Sequence, residues 1–117
     1  MERKGDIYEG EFKDGVYHGL GSITYSNGHT YEGYFKNNMY HGKGVLSKDD
    51  ITYEGDFETG EFHGKGVLMN SQYEYNGDFV YGKQQGWGVL KFKDETKLEG
   101  EFANNEVEGV VKEVKDG

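Results

Sequence analysis

The chain of 117 residues contains no cysteine and no proline. Because cysteine is absent, disulfides, thiolate zinc sites and a cysteine nucleophile are excluded, which suits a reducing compartment. No stretch approaches the ~20 consecutive apolar residues of a membrane helix. The N-terminus leads into no apolar run, so we expect no signal peptide. The length fits one domain, and we predict an intracellular, cytoplasmic protein.

Basic residues are scarce. Only 13 lysines and arginines stand against 22 acidic residues, which gives a net charge of −9. Nucleic-acid binding depends on neutralising phosphates with basic side chains, and adhesion to anionic lipid has the same requirement. The charge therefore argues against nucleic acid and against direct electrostatic binding to membranes. A basic or amphipathic protein or peptide fits this field better.

Aromatic residues and glycine take the place of aliphatic residues. Aromatics make up 15% of the chain and glycine occurs 20 times. They recur in one pattern at intervals of 22 or 23 residues, in segments that begin at Tyr8, Tyr31, Tyr53, Tyr75 and Leu98. These segments read YEGEFKDGVYHGLG, YEGYFKNNMYHGKG, YEGDFETGEFHGKG, YNGDFVYGKQQGWG and LEGEFANNEVEGVV. A fixed interval of this kind is typical of a repeat protein.

The pattern Tyr-x-Gly-x-Phe followed by His-Gly-x-Gly resembles the MORN (membrane occupation and recognition nexus) repeat. The fourth copy departs from it at Gln84 and Gln85, and the fifth at Leu98, Glu108 and Val111. We predict a lead-in, four repeats, a degenerate terminal repeat and a tail, with the bounds 1–7, 8–30, 31–52, 53–74, 75–97, 98–114 and 115–117.

The fold follows from alternation and turn residues. In Tyr8–Phe12 apolar or small residues alternate with charged ones, which indicates a strand. Glycine or asparagine, which tolerate positive φ, ends a two-residue turn in each copy. We therefore predict an all-β fold, an elongated single-layer twisted antiparallel sheet of about five tandem β-hairpins. The predicted turns are Asp14-Gly15, Asn37-Asn38, Thr59-Gly60, Tyr81-Gly82 and Asn104-Asn105.

Two-residue turns also predict a register. Counting outwards from the first turn places Phe12 opposite Tyr17, and then Gly10 opposite Gly19 and Tyr8 opposite Gly21. The same count predicts cross-strand ion pairs on the polar face of the next hairpins. These are Glu32–Lys43 and Glu54–Lys65, with Asp56 facing His63.

This register gathers the aromatic side chains on one face above glycines. We predict a glycine-floored groove with aromatic walls that binds a partner segment, either an amphipathic helix or an extended peptide. Trp87 is included as an exposed contact, although the register puts it on the polar face. The predicted groove residues are Tyr8, Phe12, Tyr17, Tyr31, Phe35, Tyr40, Tyr53, Phe57, Phe62, Tyr75, Phe79 and Trp87. The predicted structural glycines are Gly10, Gly19, Gly21, Gly33, Gly42, Gly44, Gly55, Gly64, Gly66, Gly77, Gly86 and Gly88.

Catalytic and metal sites are not predicted. Equivalent histidines such as His18 and His41 lie two strands, or ~10 Å, apart, too far to share a metal ion. We expect them to form hydrogen bonds within their own hairpins. The repeated glutamates have alike, exposed environments, without the asymmetry that acid–base catalysis needs. The Gly-Lys-Gly sequences lack Walker spacing. We therefore expect no enzyme activity, no cofactor and no metal.

Three functions remain open. The first is a non-catalytic interaction or scaffold module that holds a protein segment in the groove. The second is a homodimer or larger scaffold joined through exposed strand edges, with 107–114 as the edge to test. Association with the cytoskeleton is implied by the resemblance to MORN-type proteins. The third is a phospholipid-binding module for membrane recruitment, which the family name suggests.

Overall fold

The computed structural model describes residues 5–104 and 106–115, the second segment by its backbone. Parts of the predicted lead-in and tail (1–4 and 116–117) lie outside the described residues, as does Asn105. The described chain forms one open antiparallel sheet of ten strands in sequence order, and its longest dimension is 51 Å. The predicted all-β array of tandem hairpins is confirmed. The strands are β1 (Ile7–Lys13), β2 (Val16–Thr24), β3 (Thr30–Lys36), β4 (Met39–Lys48), β5 (Ile51–Glu58), β6 (Glu61–Met69), β7 (Tyr73–Val80), β8 (Lys83–Phe92), β9 (Thr96–Ala103) and β10 (Glu106–Lys115).

The predicted two-residue turns are present. In the first, Asp14 and Gly15 have φ of 52° and 82°, and Lys13 pairs with Val16 across it. Positive φ at both central residues is the type I′ geometry that suits the right-handed twist of a hairpin. Both central residues also have positive φ at Asn37-Asn38, Thr59-Gly60 and Tyr81-Gly82. In the last turn Asn104 has φ of 52°, and its partner lies outside the described residues.

The predicted register holds next to the turn and is wrong beyond it. Phe12 does pair with Tyr17, but Gly10 pairs with Gly21 and Tyr8 with Ile23. A β-bulge causes the difference, because residues 18–20 together lie opposite one residue of β1. At its centre Gly19 has φ of 82°, a conformation that side chains other than glycine rarely tolerate. The same irregularity recurs in the next three hairpins.

The bulge also moves the ion pairs from within hairpins to between them. Glu32 lies opposite Val45 on β4, so the predicted Glu32–Lys43 pair does not form. Lys43 instead contacts Asp56 of the next repeat, with 2.8 Å between its Nζ and Oδ1. The predicted Glu54–Lys65 pair does not form for the same reason, because Glu54 lies opposite Val67, and Lys65 pairs with Asp78 at 2.8 Å. Asp56 lies opposite the bulge residues 63–65, which include its predicted neighbour His63.

The core is a repeated tyrosine unit, best seen around Tyr53. Its ring stacks on Phe62 with 3.9 Å between the centroids and meets the edges of Phe57 and Phe79 at 5.0 and 5.2 Å. The Tyr53 hydroxyl donates a hydrogen bond of 2.7 Å to the carbonyl of Asp56, the residue opposite the bulge. The tyrosine thus bonds to the backbone where the bulge interrupts the ladder. Equivalent hydroxyl bonds are made by Tyr8, Tyr31 and Tyr75.

Neighbouring repeats are joined at their turns as well as through the core. The Gly60 N–H donates to the carbonyl of Tyr40 in the preceding repeat at 3.0 Å. His63 also joins two neighbouring repeats, because its Nδ1 accepts a hydrogen bond of 3.2 Å from the N–H of Tyr81. The expectation of histidine hydrogen bonds within one hairpin is corrected at this position. In the fourth copy the Oε1 of Gln85 accepts the N–H of Asn104 at 3.2 Å, so glutamine takes over the acceptor role of histidine.

Candidate functional site

The aromatic face does not form an open groove. Tyr31, Tyr53 and Tyr75 are 0% exposed. Their rings lie on the glycines that we expected to form a groove floor: a Cβ added to Gly66 would lie 2.3 Å from the Tyr53 hydroxyl. The rings themselves therefore fill the predicted space. Eight of the twelve predicted groove residues are buried core: Tyr8, Tyr17, Tyr31, Phe35, Tyr53, Phe57, Tyr75 and Phe79.

The other four predicted contact residues are reachable to different degrees. Tyr40 and Phe62 are partly buried and pack against the core. Phe12 is 58% exposed, because β1 is the first strand of the sheet and has no neighbour on one side. Trp87 is 46% exposed on the opposite face. A binding role for these residues stays a prediction, since burial decides only which of them a partner could touch.

Burial also sets the protonation of the core tyrosines. Burial raises the pKa of Tyr75 to about 12 from an ordinary value of 10.0, with a smaller contribution from the charge of Asp78. Burial likewise raises the pKa of Tyr31 and of Tyr53. These hydroxyls are therefore neutral at neutral pH, and they donate hydrogen bonds to backbone carbonyls.

A row of paired glycines crosses the sheet beneath the tyrosine rings. Each glycine in this row lies opposite the next one on the neighbouring strand, from β1 through β9. Because side chains alternate along a strand, the residues before and after each glycine project from the other face of the sheet. On that face the row forms a floor of bare backbone between two lines of side chains. The row consists of Gly10, Gly21, Gly33, Gly44, Gly55, Gly66, Gly77, Gly88 and Gly100.

We call this surface the glycine-row groove. It comprises three concavities of about 600, 220 and 510 Å³ that follow one another along the array. The first lies over Gly10, Gly21 and Gly33. The second lies over Gly33, Gly44 and Gly55. The third lies beside Gly77 and Trp87. These concavities lie on the face of the sheet opposite the one on which we predicted a glycine-floored groove.

Three large apolar side chains are exposed along one wall of this groove. Leu20 pairs with Tyr34 across β2 and β3, and these side chains are 51% and 50% exposed. Trp87 occupies the equivalent position on β8, opposite Glu101. Sequence reasoning missed Leu20 and Tyr34. The signal was available, because the other copies have acidic residues at the position of Tyr34, and the next two copies have lysine at the position of Leu20.

The chemical groups along the groove are mainly charged and apolar side chains. In the described part of the chain, no group of three or more His, Cys, Asp or Glu side chains is placed to hold a metal ion. The walls carry glutamates, lysines and apolar side chains over exposed backbone. Such a surface can bind a chain of complementary charge and shape, and Trp87 is the type of residue that often dominates the binding energy of an interface.

The fold is an open array of antiparallel β-hairpins with a row of paired glycines across it. A family model for the MORN repeat matches residues 8–30, 31–50, 53–70 and 75–97, well over half of the chain. The chain belongs to the MORN-repeat family, whose repeats are generally non-catalytic modules for interaction with proteins or membranes. No curated protein matches the chain. No helix among the described residues is long and apolar enough to cross a membrane.

Proposed function

We propose that this chain is a non-catalytic interaction module that holds a segment of a protein partner in the glycine-row groove. The observation that carries the proposal is that the two faces of the sheet have different roles. The aromatic side chains that could have bound a partner are used as core. The opposite face leaves Leu20, Tyr34 and Trp87 exposed beside bare backbone. We place the protein in the cytoplasm as part of this proposal.

The width of the groove favours an extended peptide over a helix. Its walls stand two residues apart on each strand, or ~7 Å, whereas a helix with its side chains is ~10–12 Å across. An extended chain fits between the walls and reaches the floor. A helix would rest on the wall tops and lose contact with the glycine row.

The test compares two pairs of exposed apolar residues. Leu20→Ala with Trp87→Ala removes the apolar contacts of the groove. Met39→Ala with Val80→Ala removes equally exposed residues at the hairpin turns. A partner captured from cell extract by the intact chain is produced as a recombinant segment, and its Kd is measured by calorimetry. We expect the groove pair to weaken binding at least about tenfold and the turn pair to leave it unchanged. Equal losses in both pairs would reject the groove.

Assembly through a strand edge is a second candidate, and one observation favours it. Phe12 is 58% exposed, whereas the equivalent Phe35, Phe57 and Phe79 are at most 3% exposed because a preceding repeat covers them. Unpaired edges of this kind can pair with another chain. If β1 mediates assembly, light scattering over a concentration series will report dimers that Phe12→Lys abolishes. A monomer at every concentration would exclude assembly.

The edge that we first expected to mediate assembly is β10. Its side chains, including that of Val111, lie outside the described residues, so a Val111→Lys variant tests it in the same scattering series. Phospholipid binding is the remaining alternative. Flotation with phosphoinositide vesicles at low salt tests it, and absence of co-flotation would end that idea.

A further inference from the structure

The outer edge of β1 lacks the aromatic cover that each later repeat receives. In the described sheet β1 is the first strand and pairs with β2 alone. Its Phe12 is 58% exposed, whereas the equivalent phenylalanines of the next three repeats are at most 3% exposed. Ile7 on the same strand is 59% exposed. An unpaired strand with exposed apolar side chains is a surface on which another chain can pair.

The junctions between repeats show the geometry of a strand that would fit this edge. Within each of the first four hairpins a bulge interrupts the ladder, but between hairpins the pairing is regular. β2 and β3 pair without a shift from Gly19 opposite Phe35 to Thr24 opposite Thr30. β4 pairs with β5, and β6 with β7, in the same way. An antiparallel strand can therefore pair with residues 7–12 as β2 pairs with β3.

The same junctions show which side chain covers the phenylalanine. Phe57 packs against Tyr40 on β4, with 5.5 Å between the ring centroids. Phe79 packs against Phe62 on β6 at 5.6 Å. In both strands the covering ring stands two residues before the position opposite the phenylalanine. Phe12 lacks this contact, so a fitting strand carries an aromatic side chain at that position.

The charge of the edge favours a basic residue in the same strand. Lys43 of β4 lies opposite Asp56, with 2.8 Å between Nζ and Oδ1, and the next junction repeats this ion pair. Glu11 occupies the position of Asp56 in the first repeat. Its Oε2 accepts the Leu20 N–H at 2.9 Å, which leaves Oε1 for a cation. Among the described lysines and arginines, none pairs with Glu11.

A second copy of the chain fits this edge poorly. Two β1 strands paired antiparallel over their full length would be centred on Gly10. Glu9 of each copy would then lie opposite Glu11 of the other, and like charges directly opposite each other destabilise a sheet. On β10, Val107 and Val110 stand at the repeat positions of the covering ring and the lysine. A head-to-tail pairing of β10 with β1 would therefore supply neither contact.

We propose that the outer edge of β1 binds an extended segment of a protein partner as an additional antiparallel strand. The segment has an aromatic residue, a basic residue three positions later and an apolar residue three positions after that. These side chains contact Phe12, Glu11 and Tyr8, respectively. The inference goes beyond the groove, because the partner pairs with the free backbone of β1 and not with the glycine row. The same spacing occurs within the chain on β4, at Tyr40, Lys43 and Leu46.

The probe is a labelled peptide with the sequence of β4 (Met39–Lys48), titrated with the whole chain and followed by fluorescence anisotropy. We expect Phe12→Ala in the chain to weaken binding about tenfold. The peptide with Tyr40→Ala should lose as much, and it leaves the protein unchanged. Tyr81→Ala is the matched control, because it removes an aromatic side chain that is 55% exposed at a turn. It should leave the Kd unchanged.

Glu11→Gln tests the basic residue of the segment. Glutamine keeps an oxygen that can accept the Leu20 N–H but carries no charge. We expect binding of the peptide to weaken about two- to fivefold, as for an exposed ion pair. The peptide with Lys43→Gln should bind equally weakly to the parent chain and to Glu11→Gln, because the two changes remove the same interaction. Glu61→Gln removes an exposed charge at a turn and should have no effect.

Amide hydrogen exchange locates the bound peptide and separates the outcomes. An added strand protects those amides of β1 that face away from β2, so slower exchange in 7–13 on addition of the peptide would support the inference. No binding up to about 1 mM, binding indifferent to Phe12→Ala, or protection confined to other strands would overturn it. Dimers of the free chain in which the β1 amides are already protected would assign the edge to a second copy and overturn a different partner.

Discussion

The Tyr53 hydroxyl is one oxygen atom at the centre of the array, and the effect of removing it by Tyr53→Phe can be worked out from the structure. The ring is 0% exposed, and the hydroxyl donates to the Asp56 carbonyl at 2.7 Å. Phenylalanine keeps the ring contacts but leaves that part-buried carbonyl without this donor. Loss of one partner of a buried hydrogen bond costs about 1–3 kcal/mol. We expect the free energy of unfolding at pH 8 to fall by that amount.

The same substitution should matter less at alkaline pH. Burial raises the pKa of Tyr53 well above its ordinary value, and the charge of Asp56 adds to the shift. In the unfolded chain the hydroxyl ionises near pH 10, so above that pH the unfolded state binds fewer protons and stability falls as pH rises. At pH 11 this loss is about 1.4 kcal/mol for one tyrosine. Tyr53→Phe has no hydroxyl to ionise at this position, so it does not undergo this loss. The difference in the free energy of unfolding between the parent and the variant should therefore be about 1.4 kcal/mol smaller at pH 11 than at pH 8.

Urea unfolding followed by circular dichroism at pH 8 and pH 11 measures both effects. Tyr81→Phe is the control, because Tyr81 is 55% exposed at a turn, and its stability should match the parent at pH 8. A gap for Tyr53→Phe that is the same at both pH values would refute the burial of a protonated hydroxyl. A gap below about 0.5 kcal/mol at pH 8 would refute the hydrogen-bond argument, because that is the usual size of a neutral surface change.

Two further stability comparisons test the core and the floor of the groove. Gly66→Ala places a Cβ 2.3 Å from the Tyr53 hydroxyl, whereas Gly60→Ala meets nothing within 4 Å and strains only a turn with φ of 84°. Overpacking should lower the free energy of unfolding of Gly66→Ala by about 1–3 kcal/mol or more. The strained turn should lower that of Gly60→Ala by about 1 kcal/mol. Equal urea midpoints for the two variants would contradict the close contact between the Tyr53 ring and Gly66. Phe57→Ala should cost about 3–5 kcal/mol, whereas Phe12→Ala, at 58% exposure, should cost less than half of that. Similar losses in thermal melts would mean that β1 is covered in solution.

The sequence by itself determined the hairpins. Asp14-Gly15 and its equivalents have glycine or asparagine as the second residue, which tolerates positive φ, so each turn and the first cross-strand pair, Phe12 with Tyr17, could be predicted. It also determined which face is aromatic, because alternation along each strand sorts the rings to one side. Both predictions rest on local geometry, which a few neighbouring residues fix.

The tertiary structure decided the register beyond the turn. Gly10 opposite Gly19 and Gly10 opposite Gly21 differ by two residues, and a shift of two leaves every side chain on the same face. Alternation therefore cannot distinguish these registers. What selects the second is the tyrosine, whose ring lies on the paired glycines and whose hydroxyl bonds to the carbonyl opposite the bulge.

The tertiary structure also decided which face is available to a partner. The aromatic residues recur alike along the chain, yet Phe57 is buried and Phe12 is exposed, because burial depends on the repeat stacked alongside. The glycines that we predicted to form the open floor of a groove are covered by tyrosine rings on one face of the sheet and are uncovered on the other face. The sequence determined that aromatics and glycines form a repeated surface. Packing between repeats decided that the aromatic rings form the core and that the glycine-row groove lies on the opposite face of the sheet.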